Sequence, residues 1–69
     1  MEKKTLRHKL GEECKKLRKS AKLSQQALAD SLNEKGIGLS FYREDISAFE
    51  RTGEKLGFEK IEAIFDFFN

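Results

Sequence analysis

A chain of 69 residues with a single cysteine, Cys14, has room for one domain and one small core, and cannot form an internal disulfide. No apolar run approaches the ~18 residues of a membrane span, and the basic start MEKKTLRHKL lacks a signal peptide's apolar stretch, so composition points to a small cytoplasmic protein with no membrane partner. The net charge of +2 divides unevenly: residues 1–24 hold nine Lys/Arg against three Glu, and residues 25–69 hold five against nine Asp/Glu.

The lack of proline and the abundance of Lys, Glu and Leu favour helices. Leu6, Leu10, Cys14, Leu17 and Ala21 recur at steps of four, four, three and four. That stripe predicts an amphipathic helix over about 5–20, capped by Thr5 and slightly weakened by Gly11. Ser24 caps a second helix over about 25–34, whose apolar edge is Leu28 and Leu32. The stretch NEKGIGLS then reads as a turn, with Asn33 or Gly36 in the left-handed conformation. Ser40 caps a third helix over about 40–52, with Glu44 and Asp45 in the first turn, where the helix dipole favours acids. Ile46 and Phe49 form its buried pair and Gly53 ends it. A fourth helix, about 57–68, carries Phe58, Ile61, Ile64, Phe65 and Phe68 on one face and Phe67 off it. Phe49, Phe58 and Phe65 are expected to fill the core. With no repeat, low-complexity tract or linker, residues 1–69 are expected to form one compact all-α unit of four helices.

The strings LRKSAKLSQQALADSL (17–32) and ISAFERTG (46–53) together resemble the Cro and phage-repressor (XRE-type) helix-turn-helix family. The matching positions are Leu17, Arg18, Leu23, Ser24, Gln25, Leu28, Ala29, Ile46, Ser47, Phe49, Glu50 and Gly53, and the likeness spans roughly residues 6–68. It implies a lambda-repressor-like fold with the helix-turn-helix at about 24–53, and a transcriptional regulator of phage or mobile-element type that binds double-stranded DNA. Two departures stand out. The step from Leu32 to Ile46 is fourteen where the family usually has about seven residues between, an extended turn between helices 2 and 3, and the sequence ends at Asn69 after the fourth helix where many members add a fifth.

The resemblance also implies roles for residues. The recognition helix, about 40–52, lies in the major groove and turns Arg43, Glu44, Ser47 and Ala48 toward base edges, with Tyr42 at the rim. Arg43 suits a guanine and Glu44 a cytosine amino group. Gln25, flanked by Lys22 and Gln26, holds phosphate at the start of helix 2, as do Arg51, Thr52 and Lys55 after helix 3. Arg18 and Glu50 match a salt bridge between helices 1 and 3. The bland readings are a solvated basic face, two unrelated surface charges, and acids that only satisfy the helix dipole; for Asp45 the last is preferred.

Six Phe exceed what a minimal core needs. Phe67 with Phe68, or Phe41, is therefore a candidate homodimer interface, against partial burial at the end of the chain. His8 and Cys14 stand six apart, which matches no metal-ligand spacing, so His8 reads as a surface residue and Cys14 as core. No cofactor, metal, small-molecule ligand or enzymatic activity is expected: Ser24, Ser40 and Ser47 have no base in an interpretable arrangement, and no glycine-rich phosphate loop is present. The acidic third helix and the surplus Phe support an alternative, a protein-interaction module of the same fold such as an antitoxin or antirepressor-type partner.

Overall fold

The Thr5 hydroxyl accepts the amide of His8 at 3.1 Å and starts α1 (Leu6–Ser20). The computed structural model describes residues 5–69; residues 1–4, part of the basic N-terminal end, lie outside the described residues. Lys22 ends α1 in the left-handed conformation (φ 61), its amide donating to Lys19 O and that of Leu23 to Arg18 O. This crossed pair satisfies carbonyls that the helix end would otherwise leave without partners. Ser24 then caps α2 (Gln25–Glu34), accepting Ala27 N at 3.0 Å. Next come α3 (Arg43–Thr52) and α4 (Phe58–Phe68), and no strand occurs among the described residues. The described residues thus form an all-α unit of four helices. None of them is long and apolar enough to cross a membrane.

The core joins Leu28 and Leu32 of α2, Ile46 and Phe49 of α3, and Ile61 and Ile64 of α4, closed by Cys14, Phe41 and Leu56. Burying each large apolar side chain contributes about 1.5–3 kcal/mol.

Helix α1 packs most extensively on α3, along a line rotated from the stripe read from the sequence, of which Cys14 is buried and Leu10 packs against the core. Its buried line is Gly11, Cys14 and Arg18, while Leu6 and Ala21 are exposed. Gly11 causes the rotation. A side chain there would strike the Phe49 carbonyl, so its absence lets the two backbones touch. The residue expected only to weaken α1 is the one that seats it. Gly53, which ends α3 at φ 82, is equally constrained, since a Cβ would land on the backbone of Arg7 and His8.

Further expectations are corrected. Helix α3 starts at Arg43 rather than Ser40, with Tyr42 in the N-cap position and no side-chain cap bond. The reason lies in Asn33, which remains in α2 and uses its side chain twice: Nδ2 donates to Phe41 O at 2.9 Å and Oδ1 accepts Phe41 N at 2.8 Å. This clamp occupies both backbone polar groups of Phe41 while its ring enters the core, so the helix begins beyond it. Of Asn33 and Gly36 it is Gly36 that takes the left-handed conformation (φ 64), and Gly38 in the same turn does so too (φ 83).

Phe41 is therefore buried, not an exposed interface residue, and Phe58, expected in the core, is 61% exposed beneath the Arg7 guanidinium, 5.2 Å from its ring centre. Leu56, two residues earlier, fills the core position instead. Phe65, Phe67 and Phe68 are partly buried against the core, and Phe67 meets Phe68 edge to face at 5.1 Å. Phe67 thus does not project away from the body of the protein.

Candidate nucleic-acid interface

The polar centre of the molecule is Glu50, 6% exposed, at the meeting point of α1, α2 and α3. Arg18 reaches it from α1 with a fork: Nε donates to Oε2 at 2.7 Å and Nη2 to Oε1 at 3.0 Å, the paired geometry in which guanidinium–carboxylate contacts are strongest. Arg18 Nη1 also donates to Leu23 O at 2.6 Å, tying down the α1–α2 turn. Gln25 approaches from α2 and donates Nε2 to Glu50 Oε1 at 3.1 Å. The Cys14 thiol donates to Oε2 at 3.8 Å. Every buried side-chain polar atom among the described residues has a partner.

Two titrations respond to this arrangement. Its hydrogen bond to Glu50 raises the Arg18 guanidinium above its ordinary value, so it stays charged. Burial, reinforced by the Glu50 charge, pushes the Cys14 thiol up to about 12, which keeps it protonated and unreactive at neutral pH.

With Ile46, Phe49 and Glu50 turned inward, α3 presents its other side to solvent. Arg43 and Glu44 are exposed and adjacent, Arg43 Nη2 standing 3.6 Å from Glu44 Oε2. Tyr42 is 58% exposed, and Ser47 and Ala48 are half-buried. Asp45 is half-buried in the first turn, where the helix dipole favours a carboxylate. Arg51 is exposed, one turn beyond Ser47. Thr52 is occupied locally: its hydroxyl donates to Ala48 O at 3.0 Å and accepts Glu54 N at 3.3 Å.

At the start of α2, Lys22 and Gln26 are exposed, and Gln26 Nε2 donates to Asp30 Oδ1 at 2.9 Å. Lys55, like Lys22, has left-handed backbone (φ 78). Such conformations are uncommon outside glycine, cost about 1 kcal/mol or more, and cluster at functional sites.

The residues assigned to DNA thus fall on the outer side of α3, on the segment after it, and at the α2 N-terminus. The structure does not bring them all together as free contacts, since Gln25, Gln26 and Thr52 are engaged within the protein. Among the described residues no group of three or more His, Cys, Asp or Glu is placed to hold a metal.

Two positioning residues carry no local sequence signal. Arg7 donates Nε to Gly53 O at 2.9 Å and Nη2 to Leu56 O, fixing the α3–α4 segment that carries Lys55. Asn33 sets the start of α3 through Phe41. No family model, curated protein or solved structure matches the chain.

Proposed function

We propose that the protein is a sequence-specific double-stranded DNA-binding regulator of the Cro and phage-repressor helix-turn-helix type, with α3 in the major groove. One observation carries this reading. The buried Arg18–Glu50–Gln25 network locks α1, α2 and α3 at a single point, leaving the outer side of α3 and the α2 N-terminus presented by one rigid body. Rigid presentation of a helix is what base-edge readout requires. In this reading Arg43 binds a guanine by two hydrogen bonds, Glu44 accepts from a cytosine amino group, and Ser47 contacts a base or phosphate. Lys22, Gln25 and Gln26 on one side, with Arg51, Thr52 and Lys55 on the other, hold the backbone and set the register.

The test is fluorescence anisotropy of a pool of random duplex DNA titrated with protein at low and moderate salt. Binding that weakens steeply with salt supports the reading, because each phosphate neutralised by Lys or Arg releases a counterion. Absence of binding at low salt refutes it.

A second reading, a protein-interaction module of antitoxin or antirepressor type, draws on a different surface. A groove of about 290 Å³ between the α2–α3 segment and α4 is lined by Ile37, Ala63 and Phe67 and edged by Glu59, Glu62 and Asp66, with Lys35 the one cation at its edge. Apolar in its floor and net acidic at its rim, three carboxylates against Lys35, it suits a basic amphipathic segment.

A further inference from the structure

We infer that the groove between α1 and α3 is a further phosphate grip, taking the sugar-phosphate backbone of a duplex alongside α3; this rests on the DNA-binding reading above. The groove has a volume of about 580 Å³ and is walled by His8, Glu12, Lys15, Lys16, Lys19 and Arg51. Lys19 lies three and four residues beyond Lys16 and Lys15, so the three ammonium groups share one side of α1. Like charges at these spacings repel and weaken a helix. The helix dipole favours a cation in the last turn, which accounts for Lys19 but not for Lys15 and Lys16.

Compensation from within the described residues is partial, since Glu12 precedes Lys15 and Lys16 by three and four positions. Neither the three lysines nor Arg51 has a carboxylate within ion-pair distance among the described residues. Of the two carboxylates in the wall, Glu50 is committed to Arg18, and Glu12 stands 3.9 Å from His8. The wall therefore sets four cationic side chains against two carboxylates around an open space, an excess of positive charge that a polyanion relieves.

Position decides which polyanion. Arg51 belongs both to this wall and to the solvent side of α3 that carries Ser47, one turn earlier. The groove thus continues the surface assigned to DNA. An acidic protein segment matches the charge but not this continuity. Backbone phosphates, evenly spaced and sequence-independent, suit three mobile lysine point charges and one arginine fork.

The experiment titrates a random-sequence duplex with the full chain over a range of salt. It compares the unaltered protein, the triple variant K15Q/K16Q/K19Q and a control, K35Q/K60Q, whose lysines do not line the groove. Circular dichroism verifies that each is folded. The slope of log affinity against log salt is expected to become shallower by about 2–3 in the triple variant, at about 0.9 for each phosphate that is no longer neutralised. The control should change it far less, and the preference for a selected sequence over the random pool should persist. Unaltered protein that binds DNA alongside a triple variant of unchanged slope overturns the groove's role and leaves the α3 reading standing. Unaltered protein that fails to bind duplex overturns both. In that event a polyglutamate titration lost in the triple variant would reassign the groove to an acidic protein partner.

Discussion

Replacing Gly11 with alanine sets two effects of opposite sign against each other, and the structure decides between them. In an isolated helix the change is favourable: alanine exceeds glycine by about 1 kcal/mol in a helix interior. Here the added methyl meets the backbone of α3. It lies 3.0 Å from the Phe49 carbonyl carbon and 3.4 Å from Glu50 Cα, and falls well inside contact with the Phe49 carbonyl oxygen. A flexible side chain would swing aside, but a backbone carbonyl within a helix does not. The two helices must therefore part by something on the order of 1 Å, in an interior packed as densely as an organic crystal.

Overpacking of this kind typically costs about 1–3 kcal/mol, and a backbone obstacle places it at the upper end. Subtracting the propensity gain leaves a net loss of roughly 2 kcal/mol. A domain of this size has a total stability of only roughly 3–10 kcal/mol, so the midpoint of thermal unfolding should fall by roughly 8–16 °C. Thermal melting followed by circular dichroism at 222 nm measures it directly. A midpoint that is unchanged or raised would refute the close approach of α1 to α3 and return Gly11 to an ordinary weak helix position.

Other perturbations probe the polar centre and the face proposed to bind DNA. Glu50→Ala leaves Arg18, only 8% exposed, without its counter-charge; breaking a buried pair on one side costs about 3–5 kcal/mol. The melting midpoint should fall by roughly 12–40 °C, and the double variant Arg18→Leu/Glu50→Leu should recover much of the loss; a single variant with unchanged melting contradicts the pairing. The Cys14 thiol has its folded value raised from 9.0 to about 12, so its contribution to stability is complete below pH 9 and declines as pH rises toward 12. The decline is at most about 1.4 kcal/mol per pH unit. Denaturant unfolding of the protein and of Cys14→Ala over this alkaline range should show a shallower decline in the variant, and parallel curves would refute the burial of the thiol. Arg43→Ala should relax discrimination at one base pair by about 1–3 kcal/mol; equal weakening on all sequences, measured by anisotropy, would mean that Arg43 touches only phosphate.

The limits of sequence reading follow from the range over which each feature is determined. Thr5 and Ser24 cap their helices, and Gly53 closes α3, because those choices are made within a few residues by backbone amides and carbonyls seeking partners. Ser40 carries the same local signal but loses to a more distant one, the paired hydrogen bonds from Asn33 to Phe41, eight residues away. Phe41 and Phe58 exchange roles for a related reason. Either ring suits a core by hydrophobicity, and only the three-dimensional path decides. That path brings Leu56 into the site ahead of Phe58 and leaves the exposed ring beneath Arg7. Gly11 was beyond local reading altogether, because its obstacle, Phe49, lies 38 positions further along the chain.

The candidate site shows the same division. The positions of Arg43, Glu44, Ser47 and Arg51 on α3 follow from helical spacing once Ile46 and Phe49 are known to face inward. Their partners do not follow. The link from Arg18 to Glu50 spans 32 residues, and helical spacing cannot signal it; only the family resemblance suggested the pair. The resemblance also assigns Gln25 to phosphate, whereas its Nε2 donates to Glu50 Oε1. These roles are compatible in chemistry, because an amide nitrogen carries two N–H groups and the carboxylate takes only one. The second N–H, with the α2 backbone amides beyond it, remains for an anion. Glu50 does not repel that anion as a bare carboxylate would, since Arg18 offsets its charge through two hydrogen bonds. The buried network therefore joins the stability of the fold to the end of α2 that the proposed function assigns to phosphate. A substitution at Glu50 that leaves the helices intact would still displace Gln25 and weaken the grip on the backbone.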